Sequence, residues 1–273
     1  KEQSKNNLYV LDIATLNKNN FNLSDILKKL NLPDKTILII DSTEKKHLKE
    51  IINNSKKIDK KIFYAGSAGL ANYLNMIYLN KMYKKDTEVE KSEKLLIIAA
   101  SRREIIDEQL DVVKQEYDVI DYKIEVNQII NEFDLKLKKD INKLKNLIDK
   151  NDKIIIRPNP IFKNENVIRN LIDTNGINFR KLQLIIKDYI SKLVKLILEY
   201  NSDFDLFITG GDTAAGVCNE LKVDNLSIID ELLPGIPISK AHTKEYGNLN
   251  IITKAGGFGD KYSICKVIEK IAN

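Results

Sequence analysis

The 273-residue chain has no tryptophan, and only two cysteines and two methionines. Each shortage excludes something. Cys218 and Cys265 show neither metal-binding nor disulfide spacing, and both sit in apolar helical contexts. They read as buried free thiols of a reducing cytosol. No apolar run approaches the length of a membrane-spanning helix, and no secretory signal opens the chain. A cytoplasmic protein without membrane partners is the expectation. Charge of one sign is also scarce: 44 basic against 39 acidic residues leave a net charge of only +5. The lysines are interspersed with carboxylates and lack interleaved aromatics, so no nucleic-acid partner is expected. An initiator methionine is absent too: the chain opens KEQSKNN. A trimmed start and the downstream part of a longer protein both fit this.

What is present is a large apolar fraction, 43%, in a chain long enough for two domains. Short β-rich runs alternate with amphipathic segments. NNLYVLDI (6–13), KTILIID (35–41) and KKIFYAG (60–66) predict strands. FNLSDILKKL (21–30), capped by Ser24, residues 42–55, opened by Ser42 or Thr43, and residues 67–83 predict helices. KKDTEVEKSEK (84–94) is polar and aperiodic, the best linker in the chain. Beyond it, strands are predicted at 94–101, 118–124 and 153–160, and helices at 102–117, 127–150 and 178–200. The helix at 127–150 reads as a surface helix on a sheet, with a coiled-coil partner site as the alternative. Alternation of this kind implies parallel sheets with right-handed crossovers.

Three strand-to-helix junctions carry glycine: AGSAGLA (65–71), TGGDTAAG (209–216) and KAGGFGD (254–260). IAASRRE (98–104) is a fourth, with alanine in place of glycine. A helix N-terminus presents unsatisfied N–H groups and a partial positive charge, and glycine lets an anion approach closely. None of the four fits a P-loop or a dinucleotide fingerprint. Asp212 either caps its helix or holds Mg²⁺ between itself and a phosphate. Thr213 can cap or bond a phosphate oxygen. Lys254 either reaches a transferring phosphate or is a solvated strand-end lysine.

These motifs resemble the four-carbon acid sugar kinase family, whose members phosphorylate D-threonate, D-erythronate or 3-oxo-tetronate with ATP. The resemblance rests on GSAGLANYL (66–74), TGGDTAAGVCNEL (209–221), LLPGIPIS (232–239) and TKAGGFGD (253–260), and it covers almost the whole chain. It implies two α/β domains with mainly parallel sheets and an active-site cleft between them. It also implies that Gly210, Gly211, Asp212 and Thr213 contact ATP phosphates, that Gly256 lies against the nucleotide, and that Ser101 is a nucleotide contact. The family usually reads Gly-Ser where this chain has Ala100-Ser101. Nothing like the family's opening DD-x-TGA motif occurs. Residues 1–90 are therefore expected to be the last part of the sugar-acid domain, and 91–273 the nucleotide-binding domain.

The expected activity is transfer of the ATP γ-phosphoryl group to a hydroxyl of a small sugar acid, with Mg²⁺. Gly210, Gly211, Gly256 and Gly257 would supply N–H groups, Thr213 a phosphate contact, Asp212 a Mg²⁺ ligand and Lys254 a compensating charge. The catalytic base is not assigned. The expectation leaves room for a homodimer. The alternative is a nucleotide-binding module without its own catalysis, a degenerate paralogue or half of a split enzyme. A nicotinamide-dependent oxidoreductase is disfavoured by the missing fingerprint.

Overall fold

A computed structural model describes residues 6–18, 21–33, 35–78 and 93–272. The chain divides into two compact units, Lys1–Lys84 and Lys85–Asn273. Among the described residues no helix is long and apolar enough to cross a membrane.

The first unit holds β1 (Leu8–Leu11), α1 (Ile13–Leu16), α2 (Leu23–Leu30), β2 (Ile37–Ile40), α3 (Lys45–Ser55) and α4 (Ala68–Tyr78). Strands β1 and β2 pair in parallel. Three expectations need correction here. The cap of α2 is Asn22, whose side chain accepts from Ser24 N–H and Asp25 N–H, so Ser24 lies inside the helix. Helix α3 starts after Ser42 and Thr43, and the His47 ring accepts from Thr43 N–H and Glu44 N–H. Residues 61–67 form no strand. IFYA is apolar enough, but a strand needs a ladder, and among the described residues β1 and β2 pair only with each other. Most of the expected linker, residues 84–92, lies outside the described residues.

The second unit runs β3 (Leu95–Ala99), α5 (Glu104–Glu116), β4 (Ile120–Ile124), α6 (Val126–Asn131), α7 (Phe133–Ile148) and β5 (Lys153–Pro158). A short 3-10 turn, Pro160–Lys163, leads to α8 (Glu165–Asn175), α9 (Phe179–Tyr200), β6 (Asp205–Thr209) and α10 (Gly211–Glu220). A meander of β7 (Asn225–Leu233), β8 (Ile236–Thr243) and β9 (Gly247–Lys254) precedes α11 (Ser263–Ala272). The expected single helix over 127–150 is broken at Glu132, whose φ of −135° and ψ of 47° are not helical. The apolar period continues across the break, which is why periodicity alone missed it.

Seven strands form one sheet in the order β4-β5-β3-β6-β9-β8-β7. The first five pair in parallel, and β9, β8 and β7 pair antiparallel. Strand β3 is a continuous apolar run, yet its residues divide strictly. Leu96 and Ile98 join the core beneath α6, α7, α9 and α10, whereas Leu95, Ile97 and Ala99 join the core beneath α5 and α11. Helices thus cover both faces, as a buried parallel sheet requires. After β3 the chain leaves on one face through α5, and after the neighbouring β6 it leaves on the other through α10. That reversal opens a crevice at the carboxyl ends of β3 and β6.

One polar cluster interrupts this core. Fully buried Asp140 on α7 accepts from the Lys136 ammonium and, at 2.8 Å, from the Tyr189 hydroxyl on α9. Burial, with the Asp140 carboxylate close by, raises both Tyr189 and Tyr122 of β4 far above their ordinary pKa. Removing one partner of a buried ion pair strands the other. Asp140→Ala is expected to lose about 3–5 kcal/mol in urea unfolding, because Lys136 is left buried and unpaired. A Lys136→Met, Asp140→Leu double variant should recover part of that loss, since the Tyr189 hydroxyl still lacks its acceptor.

Candidate nucleotide site

Three strands end level with one another. Ala99 of β3 pairs with Thr209 of β6, and Thr209 pairs with Lys254 of β9. The turns that follow, 100–103, 210–213 and 255–258, therefore leave the same sheet edge side by side. They line a cavity of about 1050 Å³. Ser101, Gly210, Gly211, Asp212, Thr213, Gly256 and Gly257 all lie on its wall. Lys254 does not.

The N-terminus of α10 is open. Its cap residue is Gly210, at φ +95°, and no side chain caps it. The first backbone bond of the helix runs from Ala214 N–H to the Gly210 carbonyl, so the N–H groups of Gly211, Asp212 and Thr213 precede the ladder. The capping role considered for Asp212 fails on position: the residue is inside the helix, one place after its first residue, and exposed. Thr213 is buried. Helix α11 behaves in the opposite way. Asp260 accepts from Tyr262 N–H and from the Ser263 hydroxyl, both at 3.0 Å, so a carboxylate stands at the start of that helix.

The glycines divide by what they require. Gly210 needs its positive φ. Gly256 needs space, because a Cβ there would sit 2.5 Å from Ser101 Oγ. Gly211 and Gly257 need neither: their φ values are not positive, and a Cβ on either would meet no protein atom within 4 Å. Both face the cavity, where the missing side chain leaves room for something to approach the backbone. Ala100, in the place the family usually gives to glycine, also has no positive φ and fits without strain.

Sequence reasoning missed several residues that hold this edge. Gly235 of the PGIP turn has φ +76° and follows Pro234, the type II pattern. A Cβ there would strike the Phe258 ring at 2.7 Å, so PGIP packs against the phenyl group of KAGGFGD. Gln109 is fully buried on α5 and donates to the carbonyls of Phe258 (3.3 Å) and Asp260 (2.7 Å). Its signal was available, since it shares the apolar stripe of Ile106, Leu110 and Val113. Six basic side chains, Arg102, Arg103, Arg157, Lys163, Arg180 and Lys187, also line the cavity, against two acidic ones, Asp107 and Asp212. Arg157 is spent on Asp121 and Asp107, and Lys163 on Asp107. Among the described residues, Arg103 and Arg180 form no ion pair, so the cavity favours an anion. Phe162, Phe179, Leu182 and Ile168 give it an apolar wall.

Residues 96–264 match the model of a nucleotide-binding C-terminal domain, and residues 1–74 that of a sugar-binding N-terminal domain. The chain belongs to the four-carbon acid sugar kinase family. Within that family it is 23% identical over 248 residues to a D-threonate kinase of Salmonella typhimurium, a match covering 90% of this chain and 57% of that protein. A D-threonate kinase of Bordetella bronchiseptica is 32% identical over 63 residues, 23% of this chain and 16% of its own length. The fold is shared with Haemophilus influenzae protein HI1011 (TM-score 0.66, 16% identity, 98% of this chain and 61% of that one). It is also shared with a Salmonella typhimurium LT2 protein (TM-score 0.71, 15% identity, 97% and 60%). The chain therefore spans somewhat over half the length of the kinase relative it matches most fully.

Gly211→Ala and Gly257→Ala are expected to leave the melting temperature unchanged or raise it, because alanine suits these backbone angles and restricts the unfolded chain. The same variants should bind ADP at least ten-fold more weakly by calorimetry. A second prediction concerns Lys254, whose ammonium is pushed down to about 8 by burial. Between about 8 and the ordinary 10.5 the unfolded chain holds a proton that the folded chain has released. Stability contributed by this group therefore rises with pH across that window. The difference in unfolding free energy between wild type and Lys254→Met, followed from pH 7 to 10.5, isolates it from the tyrosines.

Proposed function

We propose that this chain is an ATP-dependent phosphotransferase acting on a hydroxyl of a small four-carbon sugar acid, or the nucleotide-binding portion of one. The observation that carries the reading is the pair Gly211 and Gly257, glycines that neither backbone conformation nor protein packing requires, facing one cavity. Bound ATP would supply the phosphoryl group. The Gly211, Asp212 and Thr213 N–H groups at the open end of α10 would hold its phosphate oxygens, aided by the helix dipole. Gly256 and Gly257 would close on the phosphates from the neighbouring turn. Arg103 and Arg180 would add charge, and the wall of Phe162, Phe179 and Leu182 would take the base.

Asp212 fits a metal role in this scheme. Among the described residues no three His, Cys, Asp or Glu side chains converge on a metal site. A single exposed carboxylate beside phosphates is nevertheless the usual protein share of a Mg²⁺ site, since phosphate oxygens and water complete the shell. Asp212 would hold Mg²⁺ directly or through water, which offsets its repulsion from the nucleotide. The sugar acid as partner, a cytoplasmic setting and a homodimer belong to the same proposal.

A second reading, a nucleotide-binding module without its own catalysis, rests on the nucleotide-binding domain model, which matches more than half of the chain. Calorimetry with ATP tests both. Wild type should bind ATP about ten-fold more tightly with Mg²⁺ than without, and Asp212→Ala should lose that difference. Undetectable ATP binding at millimolar concentration overturns both readings, and equal Mg²⁺ dependence in the variant overturns the metal role alone. Phosphoryl transfer from ATP to D-threonate, D-erythronate or 3-oxo-tetronate supports the first reading, and ATP binding without transfer supports the second.

A further inference from the structure

Lys254 is a buried cation without a carboxylate. It is 2% exposed, and among the described residues it forms no ion pair. Isolating an ammonium in this way is costly unless other groups compensate. Its Nζ donates instead to two consecutive main-chain carbonyls, Ala255 O at 3.2 Å and Gly256 O at 3.3 Å. The Ala255 carbonyl also accepts from Phe258 N–H at 3.0 Å, so residues 255–258 form a β-turn with Gly256 and Gly257 at its centre. Lys254's own carbonyl accepts from Gly210 N–H at 2.9 Å. One residue therefore grips both glycine turns, one with its main chain and the other with its side chain.

In a trans peptide the carbonyl of one residue and the N–H of the next point in opposite directions, and no described peptide bond here is cis. Drawing the carbonyls of Ala255 and Gly256 towards Nζ thus turns the N–H groups of Gly256 and Gly257 away from it. We infer that Lys254 is a positioning residue: by holding the two carbonyls it presents the Gly256 and Gly257 N–H groups to the cavity as an anion-binding pair. This inference rests on the nucleotide reading above. It replaces the expectation of a lysine reaching the transferring phosphate directly, and equally that of a solvated strand-end lysine. Successive N–H groups aimed at one point form a concave anion site, and the ammonium behind them adds its field.

The test is a titration of ¹⁵N-labelled protein with ADP, following the amides of Gly211, Gly256 and Gly257, with affinities from calorimetry. In wild type all three amide protons should move downfield. In Lys254→Met the Gly211 shift should persist, the Gly256 and Gly257 shifts should vanish, and ADP affinity should fall about ten-fold. If Lys254→Met does not fold, Lys254→Gln is judged by the same criteria. Lys254→Arg, which keeps the donors, should restore part of the Gly256 and Gly257 response. Retained shifts at Gly256 and Gly257 in the methionine variant overturn the inference, as does loss of all three shifts together, which marks a merely structural role. Failure of wild type to bind ADP overturns the nucleotide reading itself.

Discussion

The register of three adjacent parallel strands is the constraint on which the site depends. Because Ala99, Thr209 and Lys254 lie in one row across β3, β6 and β9, their following turns leave the sheet at the same height. A slip of one residue in any strand would exchange its two faces, since side chains alternate with period two. The strict division of Leu95, Leu96, Ile97 and Ile98 between two separate cores makes such a slip prohibitive. The apolar packing deep in the sheet thus fixes the position of glycines at its rim. The hydrogen bond from Gly210 N–H to the Lys254 carbonyl extends this row into the turns.

Two helices that start near this edge use their N-termini differently, and sequence shows why. Both follow glycine turns. Helix α11 has Asp260 three residues before its first residue, Ser263, and that carboxylate accepts from Tyr262 N–H and from the Ser263 hydroxyl. Helix α10 has Ile208 at the equivalent point and glycine as its cap, and its first acidic residue falls inside the helix, where it cannot cap. A glycine cap forgoes only about a few tenths of a kcal/mol relative to serine or aspartate, yet it leaves the first N–H groups of α10 at the cavity wall open to another acceptor. The surplus of arginine and lysine around the same opening points to an anionic one.

The alternation of strands and helices in the second unit was legible because parallel strands read as unbroken apolar runs and their helices as amphipathic ones. The glycine turns were legible as motifs. The β7–β8 hairpin was not, because β7 is largely exposed and lacks a clean alternation. PGIP could be quoted, but its packing against Phe258 is a contact distant in sequence. KKIFYAG failed as a strand for a related reason: a ladder depends on a partner that local pattern cannot supply. The direction of the Lys254 side chain was recoverable in principle. Period two places it on the same face as buried Ile252, which should have counted against a solvated lysine.

The residues around the cavity separate into those that touch a ligand and those that aim what touches it. Gly211 and Gly257 contribute only backbone and empty space. Their geometry is imposed from behind: Gln109 holds the carbonyls of Phe258 and Asp260, Gly235 makes room for the Phe258 ring, and Lys254 holds those of Ala255 and Gly256. Each of these donors is buried and each bonds main chain, so rotamer freedom in the site is small. A flexible loop would spend binding energy on ordering its backbone. A loop already braced by buried Gln109 and Lys254 directs that energy to the ligand. The chemistry KAGGFGD can perform therefore depends as much on the polar residues beneath it as on the glycines that face the cavity.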